Sequence, residues 1–232
     1  MLMYNIKTIR GTIFCPPVKY TREFVSTLAD LCEDYLPVIV RDNGALPVFP
    51  IWQLSSPDEK EILFFNGEKI DLVQVIEGEV DHNTLQSFCE RCKIVFSSIL
   101  DYTKYPCTRI ALAPSVIISE KGVMAPALFS RLFAIREYQG KKLDTSNLSQ
   151  VYRINKEIGG NEIMINHVAN FHAENELINV GGINQLRERY MGDFDINTMV
   201  NPDYKFTIED INAFFGFVPS IFSSFYSLYF PE

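Results

Sequence analysis

The C-terminal segment, residues 211–231, reads INAFFGFVPSIFSSFYSLYFP and contains no charged residue. Its apolar side chains recur at the three-then-four spacing that places them on one stripe of an α-helix. That stripe comprises Ile211, Phe214, Phe215, Val218, Ile221, Phe222, Phe225 and Tyr229. The opposite stripe is small and weakly polar, and comprises Asn212, Gly216, Ser220, Ser223 and Ser227. Because a helix that faces water normally carries Lys and Glu on its outer side, the sequence predicts that something other than water covers this stripe.

The start of this helix is marked by a capping box, with Thr207 at the N-cap and Asp210 three residues later. Pro219 predicts a kink, because proline removes a backbone donor and crowds the preceding turn. The serines and this proline lower the hydrophobicity below that of a typical membrane span. We therefore expect no membrane anchor.

The rest of the chain alternates short β-like runs with three further predicted helices. Asn66-Gly67 and Gly159-Gly160 each separate two apolar runs, which predicts β-hairpins. Thr21 and Asp81 are predicted helix N-caps, and residues 127–138 are predicted as another helix. The predicted fold class is α+β, with mostly antiparallel sheet, helices packed on one face and a long C-terminal helix.

Two lobes are predicted, which pack together as one compact unit. Residues 1–140 form an N-terminal α+β lobe, and residues 141–232 form a hairpin followed by the C-terminal helix. The polar, turn-like stretch 140–147 separates them.

The bulk composition limits the function classes that apply. The chain has 232 residues and a net charge of −8, so it lacks the basic character that direct nucleic-acid binding needs. Five cysteines, an odd number, without a secretory signal indicate reduced thiols and a cytoplasmic protein. No cofactor is predicted.

Cys89-x-x-Cys92 is the first motif that suggests chemistry. A zinc site of four cysteines needs a second pair, and a redox pair needs an exposed helix N-terminus. Both cysteines lie inside a predicted helix, on its apolar side with Phe88 and Phe96. We interpret them as core residues and predict no metal site.

Carboxylates and histidine supply the other candidates for chemistry. Asp193 and Asp195 are two residues apart, so in a strand they point to the same side and could join a site that binds a hard metal. His172 is the third weak catalytic candidate. His167 lies five residues before it in a predicted strand, so these two histidines point to opposite faces.

Four motifs occur in chain order: Cys15-Pro16-Pro17, the stretch LPVFPIWQLS at 46–55, the run 61–65, and Asp193-Phe194-Asp195 followed by Phe206 and a closing helix. With these motifs the chain, chiefly in its N-terminal half, resembles a sporadically distributed family of uncharacterised bacterial proteins of similar length. Where the family has an Asn-Trp pair, this chain has Ile70-Asp71-Leu72. The resemblance implies a fold, and a role in a bacterial defence or accessory system only by association.

The sequence favours a non-enzymatic interaction module that docks onto a protein partner or onto a second copy of itself. Aromatic residues with few charges are typical of the buried centre of such interfaces. The predicted contact residues are Phe214, Phe215, Val218, Ser220, Phe222, Ser223, Phe225, Ser227, Tyr229 and Trp52. The alternative is a metal-dependent hydrolase or nuclease that uses Asp193 and Asp195.

Overall fold

Alternating apolar residues and paired turn signals assemble most of the chain into antiparallel strands. A computed structural model describes residues 3–17, 21–31, 35–40, 51–66, 68–76, 79–120, 137–138, 141–142, 147–180, 182–201 and 203–230. Its strands, in chain order, are β1 (Met3–Tyr4), β2 (Ile6–Phe14), β3 (Leu36–Val40), β4 (Ile51–Ser55), β5 (Glu61–Asn66), β6 (Lys69–Val75), β7 (Val80–Asp81), β8 (Arg109–Glu120), β9 (Glu137–Tyr138), β10 (Lys141–Lys142), β11 (Asn147–Ile158), β12 (Asn161–Val180) and β13 (Ile183–Thr198).

Nine of these strands form one sheet in the order β11-β12-β13-β8-β2-β6-β5-β4-β3, and every neighbouring pair is antiparallel. Strands from both predicted lobes belong to this sheet. Two short antiparallel pairs, β1 with β7 and β9 with β10, lie apart from it. The predicted α+β class is confirmed.

Three helices are described, α1 (Arg22–Leu31), α2 (His82–Thr103) and α3 (Ile208–Ser227). Their N-termini carry the predicted caps. The Thr21 hydroxyl accepts a hydrogen bond from the Phe24 amide at 3.1 Å, and Asp81 accepts one from the Thr84 amide at 2.9 Å. At α3 both halves of the capping box are formed. Local side-chain chemistry therefore starts each helix where the sequence predicts.

All three helices pack on the same face of the sheet. A methyl group placed on Gly11 of β2 would lie 2.5 Å from Cys92 Sγ of α2 and 3.5 Å from a ring atom of Phe215 of α3. Farther along the same face, Phe24 of α1 packs edge to face against Phe65 of β5, with ring centroids 5.7 Å apart. We call this the helix face, and the opposite side the distal face.

The helix face carries an aromatic core beneath α3. Phe194 of β13 lies with its ring centroid 5.5 Å from those of Phe222 and Phe225. Tyr4 approaches Phe222 from the other side, at 5.2 Å. Phe194 and Phe222 are fully buried, so α3 is held to the sheet by the apolar stripe that its sequence predicts.

The two predicted hairpins are present. Asn66 pairs with Lys69 at the first turn, and Ile158 pairs with Asn161 at the second. Gly159 and Gly160 have φ of +58° and +77°, a region that favours glycine. The structure extends the strand predicted over 193–200 back to Ile183, because it pairs along the length of β12. Most of the helix predicted over 127–138 lies outside the described residues, and its last two residues form β9.

Candidate functional site

Most of the predicted contact residues of α3 form the core of the chain itself. Five of the six apolar ones are 3% exposed or less and one is 6% exposed, so they pack inside the chain. In chain order they are Phe214, Phe215, Val218, Phe222, Phe225 and Tyr229. The surface that α3 offers is therefore built mainly from its remaining side chains, together with the part of Phe225 that lines a groove beside β11.

The predicted small stripe of α3 is covered only in part. Helix α2 shields one end, where Asn212 accepts a hydrogen bond from Ser97 at 3.3 Å. The hydroxyl of Ser223 lies 2.6 Å from that of Tyr4 and 3.0 Å from His82 Nδ1. Ser220 and Ser227 are exposed. Other residues of the chain therefore contact Asn212 and Ser223, as the prediction of a covered stripe requires. Ser220 and Ser227, on the same stripe, stay exposed to solvent.

The open side of α3 overhangs β11 and forms a groove of about 520 Å³ with it. Apolar side chains dominate the lining, which includes Tyr152, Ile154, His167, Ile221, Phe225 and Leu228. Three of these expose much of their surface: Tyr152 46%, Ile154 51% and Leu228 66%. Such a cluster of exposed apolar side chains is typical of a binding surface, whereas isolated ones are common everywhere.

His167 brings a polar atom to the floor of this groove. Its side chain is 6% exposed, and its Nε2 has no hydrogen-bond partner among the described residues. The ring centroid lies 5.4 Å from that of Phe225, and burial lowers the pKa of the imidazole, which favours its neutral form. Because buried polar atoms are nearly always paired, an unpaired nitrogen in a groove indicates where a bound group would donate or accept.

Strand β11 is an edge of the sheet. Among the described residues it pairs only with β12. Its residues 151–157 are all exposed, although they include Val151, Tyr152 and Ile154. Natural proteins rarely leave an apolar edge strand unpaired and open to solvent, because such a strand pairs readily with another chain.

The weak catalytic candidates gather on the distal face. Asp193 and Asp195 share that face, and His172 joins them from β12, as the alternation of the strands requires. Asp193 accepts a 2.5 Å hydrogen bond from Ser115 and lies 3.6 Å from His172 Nδ1. Asp195 lies 3.9 Å from Arg109, and its buried Oδ1 has no hydrogen-bond partner among the described residues.

This arrangement supplies few ligands for a metal. The structure shows no group of three or more His, Cys, Asp or Glu residues able to hold a metal ion within its described part. Cys89 and Cys92 are fully buried, and burial raises the pKa of both thiols. Their burial agrees with their interpretation as core residues. Trp52 lies in β4, and its side chain lies outside the described part.

Sequence reasoning missed the contribution of His167 and β11 to the surface. The consecutive apolar residues Val151 and Tyr152, followed by Ile154, break the alternation expected of a strand with one wet face. That irregularity was the available signal. The edge position that gives it meaning depends on strand order, which no local pattern encodes.

Comparison with known proteins adds no assignment. Neither the scan against protein-family models nor the search of curated proteins finds a match for this chain. No helix in the described residues is long and apolar enough to cross a membrane.

Proposed function

We propose that this chain is a non-enzymatic protein-interaction module whose docking surface is the groove between α3 and β11. The observation that carries the proposal is that exposed apolar side chains from both elements line one groove. Ile154 and Tyr152 come from the edge strand, and Leu228 follows the end of α3. Docking a protein there would remove this apolar surface from water, which favours association.

The lining is suited to a protein partner. Ser220 and Ser224 give the helix side of the groove small, uncharged side chains, so a partner's backbone could approach α3 closely. The unpaired Nε2 of His167 gives the floor one polar contact. The free edge of β11 adds backbone donors and acceptors of the kind that an added strand uses. The resemblance to uncharacterised bacterial proteins implies a defence or accessory role only by association, and that role stays a prediction.

The test compares charged substitutions in the groove with a matched one elsewhere. Ile154→Glu and Leu228→Glu each place a carboxylate in the proposed interface, and Ile94→Glu alters a similarly exposed side chain on α2, 57% exposed, away from the groove. Two copies of the chain with different tags are expressed together in the native cells, and the stoichiometric complex is isolated through one tag. The protein that co-purifies is either the second copy, detected by its own tag, or another protein. We expect at least tenfold less partner to co-purify with each groove variant than with the wild type, and an unchanged amount to co-purify with Ile94→Glu. Equal loss in all three variants, or loss in none, contradicts the proposal.

A metal-dependent hydrolase remains the second candidate, because Asp193, Asp195 and His172 do share one face. A cation would supply the partner that the buried Oδ1 of Asp195 lacks among the described residues. Isothermal titration with Mg²⁺ or Mn²⁺ tests it. Binding that Asp193→Ala abolishes, together with turnover of a nucleic-acid substrate, would favour this candidate over the interaction module.

A further inference from the structure

We infer that the occupant of the groove is a second copy of this chain, joined edge to edge through β11 about a twofold axis at Asn155. This inference rests on the proposed function and names its partner. A twofold axis perpendicular to the sheet sets the two β11 strands antiparallel and extends one sheet across both copies. Each residue then lies opposite the one equally far on the other side of the axis.

Charge complementarity selects this register. With the axis at Asn155, Arg153 lies opposite the partner's Glu157, and symmetry repeats the pair on the other side of the axis. Both side chains are exposed, and neither forms an ion pair within the described part of the chain. They stand on the distal face, because they alternate along β11 with Tyr152 and Ile154, which face the helices, although Arg153 also borders the groove. Opposite charges directly across an antiparallel pair stabilise it.

The intrachain neighbour of Glu157 strengthens the argument. Glu157 lies directly opposite Glu162 in the β11–β12 pair, and both are exposed. Like charges in directly opposite positions destabilise a sheet. A guanidinium supplied from the free side of β11 would offset that repulsion, and Arg153 of a second copy is placed to do so.

Other symmetric registers lack this complementarity. An axis at Arg153 places the two guanidinium groups against each other. An axis at Tyr152 places Arg153 opposite Val151, and an axis at Ile154 places it opposite Asn155. Of the five axis positions from 151 to 155, only Asn155 pairs cation with anion.

The same symmetry covers the groove. Because the axis is perpendicular to the sheet, both copies of α3 lie on the same side of the joined sheet and face each other across the two β11 strands. Ile154 then lies opposite the partner's Lys156, whose aliphatic stem can cover it. Tyr152 lies opposite the partner's Ile158. The exposed apolar surface of the groove is thereby enclosed between the two helices.

A charge-swap experiment tests the register itself. Arg153→Glu makes both cross-strand pairs acidic, and Glu157→Arg makes both basic, so each variant alone should dimerise at least tenfold more weakly than the wild type at low salt. Mixed together, the two variants should form a heterodimer with wild-type affinity, because each position of one then meets its opposite charge in the other. Sedimentation velocity of the full chain from 1 to 200 µM measures the affinities. Circular dichroism confirms that both variants are folded.

Three results would overturn the inference. They are a wild-type chain that is monomeric throughout that range, dimers that both variants leave unchanged, and weakened variants that mixing does not restore. A monomeric chain that still binds a different protein through Ile154 and Leu228 would reject the homodimer and leave the proposed function standing. Loss of partner binding in none of the groove variants would reject the proposed function itself.

Discussion

A single buried nitrogen shows how this chain places a polar group beside an aromatic core. His167 is opposite Tyr152 in the β11–β12 pair and opposite Ile196 in the β12–β13 pair, so it has strand neighbours on both sides. Phe225 of α3 covers its ring. The low polarity of these surroundings disfavours the imidazolium and lowers the pKa below its ordinary value of 6.5.

This pKa shift predicts a pH dependence of stability. Around and below pH 6.5 the unfolded chain protonates His167 more fully than the folded chain does, so the unfolded state binds more protons and the free energy of unfolding falls as the pH decreases. We expect that decrease between pH 7 and pH 5.5 to be smaller in His167→Phe. Urea unfolding at a series of pH values measures it. An identical pH dependence in the variant and the wild type would show that His167 does not titrate differently on folding.

At the scale of the element, the start of α3 is fixed by one compact network. Asp210 is 2% exposed and accepts hydrogen bonds from the Thr207 amide at 2.8 Å and from the Tyr204 hydroxyl at 2.9 Å. Gly159 of the β11–β12 turn packs directly on this carboxylate, where a methyl group would lie 2.0 Å from Asp210 Oδ1. The network therefore fixes the first turn of α3 and also positions the end of the β11–β12 hairpin against that turn.

Removing the capping hydroxyl tests this network. Thr207→Ala deletes the acceptor for the Asp210 amide, which is 3.2 Å away, and we expect a loss of about 1 kcal/mol in the free energy of unfolding. Thr207→Ser keeps the hydroxyl and should stay within about 0.5 kcal/mol of the wild type. Urea denaturation measures both variants. A Ser variant as unstable as the Ala variant would assign the loss to the missing methyl group rather than to the cap.

The helices and hairpin turns were predictable because their signals are local. Thr207 and Asp210 are three residues apart, and the two glycines of the second turn are adjacent. The predicted apolar side of α2, with Phe88, Cys89, Cys92 and Phe96, is confirmed as buried, because one helical stripe specifies it. The candidate surface was less predictable. Whether Tyr152 lies in the centre or at the edge of a sheet depends on strand order, and that order is set by contacts between residues far apart in the chain.

At the scale of the whole molecule, the sheet and its helices enclose reactive side chains. Four cysteines are buried: Cys15, Cys89, Cys92 and Cys107. Burial raises the pKa of the Cys15 thiol to about 11 and that of Cys107 to about 12. A thiol reacts through its thiolate, so both the raised pKa and the lack of access slow its modification.

This enclosure predicts how the thiols react. In Cys32→Ser, which removes the one cysteine outside the described residues, we expect the four remaining thiols to react with a disulfide reagent together, at the rate of global unfolding. Increasing urea should accelerate all four equally. The reaction is followed at pH 8 through the absorbance of the thiolate that the reagent releases. A single thiol that reacts faster than the others would show that its part of the fold opens independently.

Strand order also determines when the protein can fold during its synthesis. Strand β8 lies in the sheet between the central strand β2, which precedes it by about a hundred residues, and β13, which follows it. Helix α3, which covers the ring of Phe194, follows all of these strands in the chain. Until α3 has been synthesised, that ring is uncovered, and the nascent sheet exposes apolar surface of the kind that promotes aggregation.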